Sequence, residues 1–139
     1  MELVEKTIEN GLYSIYVPRH YYIQTKYLHN NTGIRYYFCT NEENNEKIHG
    51  ILYFGTDQNE HKIRFDQKTI IENTETSILN EKIIWPIYYT EDNYFTVITI
   101  DYKTGAIYRL IRIEGKENSK ENLIDLINIF TTLSKNDNK

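Results

Sequence analysis

The spacing of apolar positions changes period once along this chain, and the change predicts its architecture. Residues 94–101 and 106–113 are filled with β-branched and aromatic side chains, and both runs read as strands. Lys103-Thr104-Gly105 between them predicts a three-residue hairpin turn, with Gly105 free to adopt φ > 0. Beyond Ile113 the period lengthens. Leu123, Leu126, Ile127, Phe130 and Leu133 recur at the 3.6-residue spacing of one helix face, predicting a helix over 119–133. Asn118-Ser-Lys-Glu121 just ahead of it has the form of a capping box, with Asn118 accepting from the backbone three residues on and Glu121 reaching back. The helical stripe needs a cover, and the hairpin is the nearest apolar surface.

Upstream, residues 3–8 and 12–17 flank Asn10-Gly11, a strong hairpin signal, and Pro18 ends the second run because it cannot donate to a sheet ladder. Tyr22, Ile23, Lys26, Tyr27 and Asn30 are spaced to fit a short helix within 19–31. Residues 34–40 are apolar on both faces, as in a central strand. Residues 48–56 and 61–65 read as the next two strands. Residues 69–79 fit either a strand with a loop or a short helix, and 82–90 a strand that Pro86 makes either an edge or a bulge. Short turns between successive strands imply one α+β domain spanning 1–139: a mostly antiparallel sheet of about six to seven strands with a C-terminal helix packed on one face.

Composition narrows the function. With 40% hydrophobic and 14% aromatic residues in 139, the chain can build a core and is not disordered. Its 13 Tyr, like its Ile, Asn and Lys, are specified by AT-rich codons, which points to an AT-rich bacterial genome; the other source of such richness is a recognition surface. A net charge of -4 opposes a phosphate-binding footprint, so no nucleic-acid partner is expected and a basic partner suits the chain better. That charge also argues against bases stacking on Arg35-Tyr36-Tyr37-Phe38. The single cysteine, Cys39, reads as buried packing. No secretory signal opens the chain and no apolar run is long enough to span a bilayer, so a cytoplasmic protein without a membrane partner is expected.

Motifs that carry chemistry are missing. His20, His29, His49 and His61 are far apart, with no His-x-x-x-His or Cys-x-x-Cys pair and no glycine-rich phosphate loop. The expectation is therefore no cofactor, no metal, no catalytic residue and no enzymatic activity. Carboxylates do cluster, at Glu42, Glu43 and Glu46, at Asp57 and Glu60, at Glu72 and Glu75, and at Glu91 and Asp92. Solubility alone accounts for charged loops. If some of these loops share one end of the sheet, they form a negative patch that steers a basic partner. Trp85, Tyr88, Tyr89 and Tyr94 flank Glu91-Asp92, combining aromatic anchors with acids as protein interfaces do. The candidate partner-binding set is Glu42, Glu43, Glu46, Trp85, Tyr88, Glu91, Asp92 and Tyr94.

Tyr13-Ser-Ile-Tyr-Val-Pro18 after an N-terminal hairpin, then an antiparallel sheet, then a strand pair and a long C-terminal helix, resembles the PsbP/DcrB-like α/β/α sandwich. The family often has Gly-Trp after that proline, where this chain has Arg19-His20-Tyr21-Tyr22. Small bacterial members of the fold include immunity proteins that neutralise toxins delivered by type VI secretion, and others bind protein partners without catalysis. The resemblance implies a cognate toxin as partner; a monomer or homodimer is expected. It carries no binding residue across. A small-ligand-binding domain and a structural or assembly subunit are the alternatives.

Overall fold

The computed structural model describes residues 2–57, 69–104 and 107–136. Its strands are β1 (Leu3–Ile8), β2 (Tyr13–Pro18), β3 (Tyr22–Tyr27), β4 (Gly33–Glu42), β5 (Asn45–Gly55), β6 (Thr69–Ile78), β7 (Glu81–Thr90), β8 (Asn93–Thr104) and β9 (Ile107–Glu117). The helix α1 (Lys120–Phe130) and a two-residue strand β10 (Ser134–Lys135) follow. Every pairing is antiparallel, in a seven-stranded sheet of order β3-β4-β5-β9-β8-β7-β6 and a three-stranded sheet of order β1-β2-β10. The α+β class with a C-terminal helix packed on a mostly antiparallel sheet is therefore as the sequence predicts.

Turn chemistry explains the hairpins. The β4–β5, β6–β7 and β7–β8 turns each place both central residues at φ > 0: Glu43-Asn44, Leu79-Asn80 and Glu91-Asp92. That backbone matches the right-handed twist of the strands it joins. The β1–β2 connection uses three such residues, Glu9, Asn10 and Gly11, as its Asn-Gly pair predicts. The predicted Lys103-Thr104-Gly105 turn falls partly outside the described residues; its strands extend to Thr104 and from Ile107, which pair with each other. The strand expected over 61–65 lies outside them entirely.

Five expectations change. The helix expected within 19–31 is strand β3 followed by one 3-10 turn, His29–Asn31. Tyr22, Ile23 and Thr25 suit a pleated edge better than a helix, and β4 offers them six ladder partners. With β3 added, β4 becomes second from the edge, and β5, β9 and β8 are the central strands. The helix cap is Ser119, whose hydroxyl accepts from the Asn122 backbone N–H at 3.1 Å, one residue later than Asn118. The helix also ends at Phe130, short of Leu133, where Thr131 and Thr132 hydroxyls donate to the carbonyls of Asn128 and Ile129. At Pro86 neither alternative holds as expected: the edge strand is β6, and Pro86 pairs in regular register with Asn73. β7 meets β8 only from Tyr88 to Thr90, so Pro86 lies where β7 has β6 alone as neighbour, and the β6 ladder is bulged between Ile70 and Glu72.

All five stripe residues are buried, Leu133 beyond the helix end included. The helix and the small sheet cover the same face of the large sheet: Phe130 meets Phe38 edge-on at 5.1 Å, and Tyr13 lies 4.9 Å from Phe54. The helix lands on glycines. A Cβ at Gly50 would sit 2.7 Å from a Phe130 ring carbon, and one at Gly115 2.8 Å from Leu126 Cδ2. Cys39 is a free, buried thiol, as its place in a strand predicts. Among the described residues, no helix is long and apolar enough to cross a membrane.

Candidate functional site: the acidic end of the sheet

The register brings the separate acidic clusters together. Glu42 pairs with Asn45 at the β4–β5 turn, Tyr94 pairs with Glu117 at the end of β9, and Thr90 pairs with Asn93 at the β7–β8 turn. These three positions lie at the same end of the large sheet, and α1 starts there too. With strands about 4.8 Å apart, the two turns stand roughly 14 Å from each other, with the end of β9 between them. The positive φ of their central residues makes both turns tight, so their side chains sit on fixed backbone.

The individual acids have different surroundings. Glu46 accepts from the Tyr22 hydroxyl and from Gln24 Nε2, which ties it to β3; its hydrogen bond is the main cause that pushes the Tyr22 hydroxyl up to about 12. Asp92 accepts from the Tyr89 hydroxyl at 3.2 Å, the leading reason that hydroxyl is raised. Glu72 receives Lys120 from the start of α1. Glu43 and Glu91 are exposed, and their carboxylates accept no hydrogen bond from a described residue. These two are the acids most available to a partner.

The aromatic candidates divide. Trp85 is wholly buried and donates its indole N–H to Thr76 Oγ1 at 2.6 Å, so it is a core residue and not a surface anchor. Tyr88 is 9% exposed, and alternation turns it to the face opposite Trp85, where it too is buried. The exposed ring of the pair is its neighbour Tyr89, 39% accessible, which packs at 4.9 Å against the half-buried Tyr94. The anchors at the β7–β8 turn are thus Tyr89 and Tyr94. Alternation also sends Tyr36 and Phe38 into the core while Arg35 and Tyr37 face the other way, which dismantles the stacking platform read from the linear order.

A polar cluster under the same end has no signature in the sequence. His49 Nδ1 lies 2.6 Å from Glu117 Oε2, and His49 Nε2 lies 2.7 Å from Thr40 Oγ1. Thr40, His49 and Glu117 are only 3%, 7% and 4% exposed. Lys47 Nζ approaches the other Glu117 oxygen at 3.4 Å, and Glu42 Oε2 lies 3.2 Å from Thr40 Oγ1 and 3.9 Å from His49 Nε2. The Tyr21 ring covers His49 at 5.1 Å. Burial, then Glu117, Asp125 and Glu42, push the Tyr21 hydroxyl up to about 12. The order hydroxyl, imidazole, carboxylate is that of a nucleophilic triad. Here, however, a carboxylate faces the hydroxyl and opposes the build-up of negative charge on it. The cluster instead joins β4, β5 and β9 and holds Glu42 at its outer edge.

A groove of about 730 Å³ lies at the far end of the sheet, between the β6–β7 turn at Leu79 and Asn80 and the segment from Thr131 to Lys135. The Thr131 and Thr132 hydroxyls on its wall serve helix carbonyls, and Ser77, Asn80, Glu81, Ser134 and Lys135 supply its other polar groups. Among the described residues no group of three His, Cys, Asp or Glu is arranged to hold a metal ion.

No protein-family model, curated protein or solved structure matches this chain.

Proposed function

We propose that this chain is a non-catalytic binding protein that presents the acidic end of its large sheet to a basic protein partner, and that it acts as an immunity protein occluding the cleft of a cognate bacterial toxin. The observation that carries the reading is the convergence of the β4–β5 and β7–β8 turns on one end, with the Glu43 and Glu91 carboxylates accepting no hydrogen bond among the described residues and Tyr89 and Tyr94 beside the second turn. Neither turn contains a lysine or arginine from Asn41 to Glu46 or from Glu91 to Asn93. An acidic patch of this kind steers a cationic partner, and adjacent aromatic rings supply contact area at small entropic cost. The fold-level resemblance in element order supports the toxin-neutralising role.

The test is co-expression with the product of the gene immediately upstream, scored by host survival. Rescue from a toxic neighbour is expected, together with a complex whose association slows several-fold in Glu43→Gln/Glu91→Gln, the loss expected of charges at an interface rim. A harmless neighbour that forms no complex would overturn the assignment.

A further inference from the structure

The cluster around His49 has one proton too few to satisfy all of its contacts when the imidazole is neutral. With Nδ1–H donating to Glu117 Oε2, Nε2 carries a lone pair and must accept from the Thr40 hydroxyl 2.7 Å away. Thr40 has a single proton, so the Glu42 carboxylate 3.2 Å from the same oxygen then faces only lone pairs. If Thr40 donates to Glu42 instead, lone pairs on Nε2 and Oγ1 confront each other. The other tautomer moves the conflict to Nδ1 and Glu117. One further proton removes it. Nδ1–H then serves Glu117, Nε2–H serves Thr40, and Thr40 O–H serves Glu42. All three contacts are satisfied together once the cluster carries that further proton, in a relay in which the histidine proton fixes the direction of the threonine hydroxyl.

We infer that His49 is a proton-controlled latch on Glu42: protonated, it holds the Glu42 carboxylate inward through Thr40, and neutral, it releases that carboxylate to the acidic end as a contact for a lysine or arginine of a protein partner. Histidine is the side chain that exchanges its proton between about pH 5 and 8, within the physiological range. Glu42 has room to move, its side chain being 55% exposed. The groups facing His49 come from every neighbouring element: Glu42 and Thr40 on β4, Lys47 on β5 itself, Glu117 on β9, and Tyr21 ahead of β3. Asp125 of α1 and the His20 ring lie behind Tyr21. Loss of the proton makes the end more negative by one charge and frees one acid. The consequence for partner binding rests on the acidic end being the contact surface; the latch is internal to the chain.

The deciding measurement is side-chain NMR of the full chain from pH 5 to 8.5, following the His49 ring nitrogens and the Glu42 carboxyl carbon together. In the wild type the Glu42 signal should change in step with the His49 ring nitrogens across the series. Thr40→Val should abolish that shift while His49 still titrates, and Thr40→Ser should keep it. A Glu42 signal that stays flat through the His49 transition would overturn the latch, as would a shift that survives in Thr40→Val, which would report only the field of the imidazolium. If Thr40→Val does not fold, Thr40→Ala decides in its place: the Glu42 shift should be lost there too, and a shift that survives rejects the latch. Binding of a decalysine peptide at low salt separates the two readings. The latch predicts tighter binding at pH 8 than at pH 5.5, with the difference reduced in Glu42→Gln. A working latch with no decalysine binding at either pH would instead remove the acidic end as a contact surface.

Discussion

His49 Nδ1 and Glu117 Oε2 are 2.6 Å apart although 68 positions separate the two residues in the chain. Their contact ties the start of β5 to the end of β9, next to where the helix begins. Removing one member strands a buried charge. His49→Leu leaves the Glu117 carboxylate with Lys47 as its one ion-pair partner among the described residues, and should cost about 3 kcal/mol in urea unfolding. The double variant H49L/E117L should be more stable than H49L, because it leaves no unpaired carboxylate. Strict additivity of the two single changes would contradict a coupled pair.

Glycine at the helix landing is required at one position and merely preferred at another. In Gly50→Ala the new methyl would meet the Phe130 ring at 2.7 Å and the Glu114 carbonyl at 2.9 Å, neither of which can turn aside. The cost should be about 2–3 kcal/mol, the upper part of the overpacking range. Gly115→Ala meets the end of the flexible Leu126 side chain at 2.8 Å and should lose less than half as much. Equal losses in the two variants would contradict this account of how α1 is seated.

Thr96 offers the opposite case. It is wholly buried in β8 opposite Gly115, and its hydroxyl has no hydrogen-bond partner among the described residues. Thr96→Val keeps the shape and the β-branched preference while removing the stranded donor. The variant should gain about 1 kcal/mol, read as a Tm higher by roughly 3 °C. A loss of stability would show that the hydroxyl is satisfied in solution.

Alkaline pH should unfold the protein through its buried and half-buried tyrosines. The Tyr21 hydroxyl is pushed up to about 12 by burial, followed by Glu117, Asp125 and Glu42. Tyr36 is raised as well, by burial and then by its hydrogen bond to Glu9. The unfolded chain releases these protons near pH 10 while the folded chain keeps them, so the folded state holds more protons in between. Their contribution is complete below pH 10 and is lost as pH rises towards and through about 12. Urea midpoints at pH 9, 10 and 11 should fall progressively, and Tyr21→Phe should flatten the fall.

Local rules in the sequence determined much of this protein. The hairpin from β8 to β9, the helix with its stripe from Leu123 to Leu133, the turn at Asn10-Gly11, the burial of Cys39 and the α+β class all follow from periodicity and turn chemistry acting over a few residues. The strand status of 22–27 was not legible, because Tyr22, Ile23 and Tyr27 fit both periods and only the open edge of β4 selects one. Tertiary structure alone decided the site. Which of Trp85, Tyr88 and Tyr89 reaches the surface depends on how far along β7 each face is covered: Trp85 and Tyr89 share a face by alternation, yet only Tyr89 is exposed. That Glu42, Glu91 and Glu117 share one end follows from the pairing of β5 with β9, which no local signal encodes. The grouping of Thr40, His49 and Glu117 likewise needs three strands in fixed register. Local residues choose their own backbone conformation, but a polar cluster forms only where long-range pairing brings its members within hydrogen-bond distance.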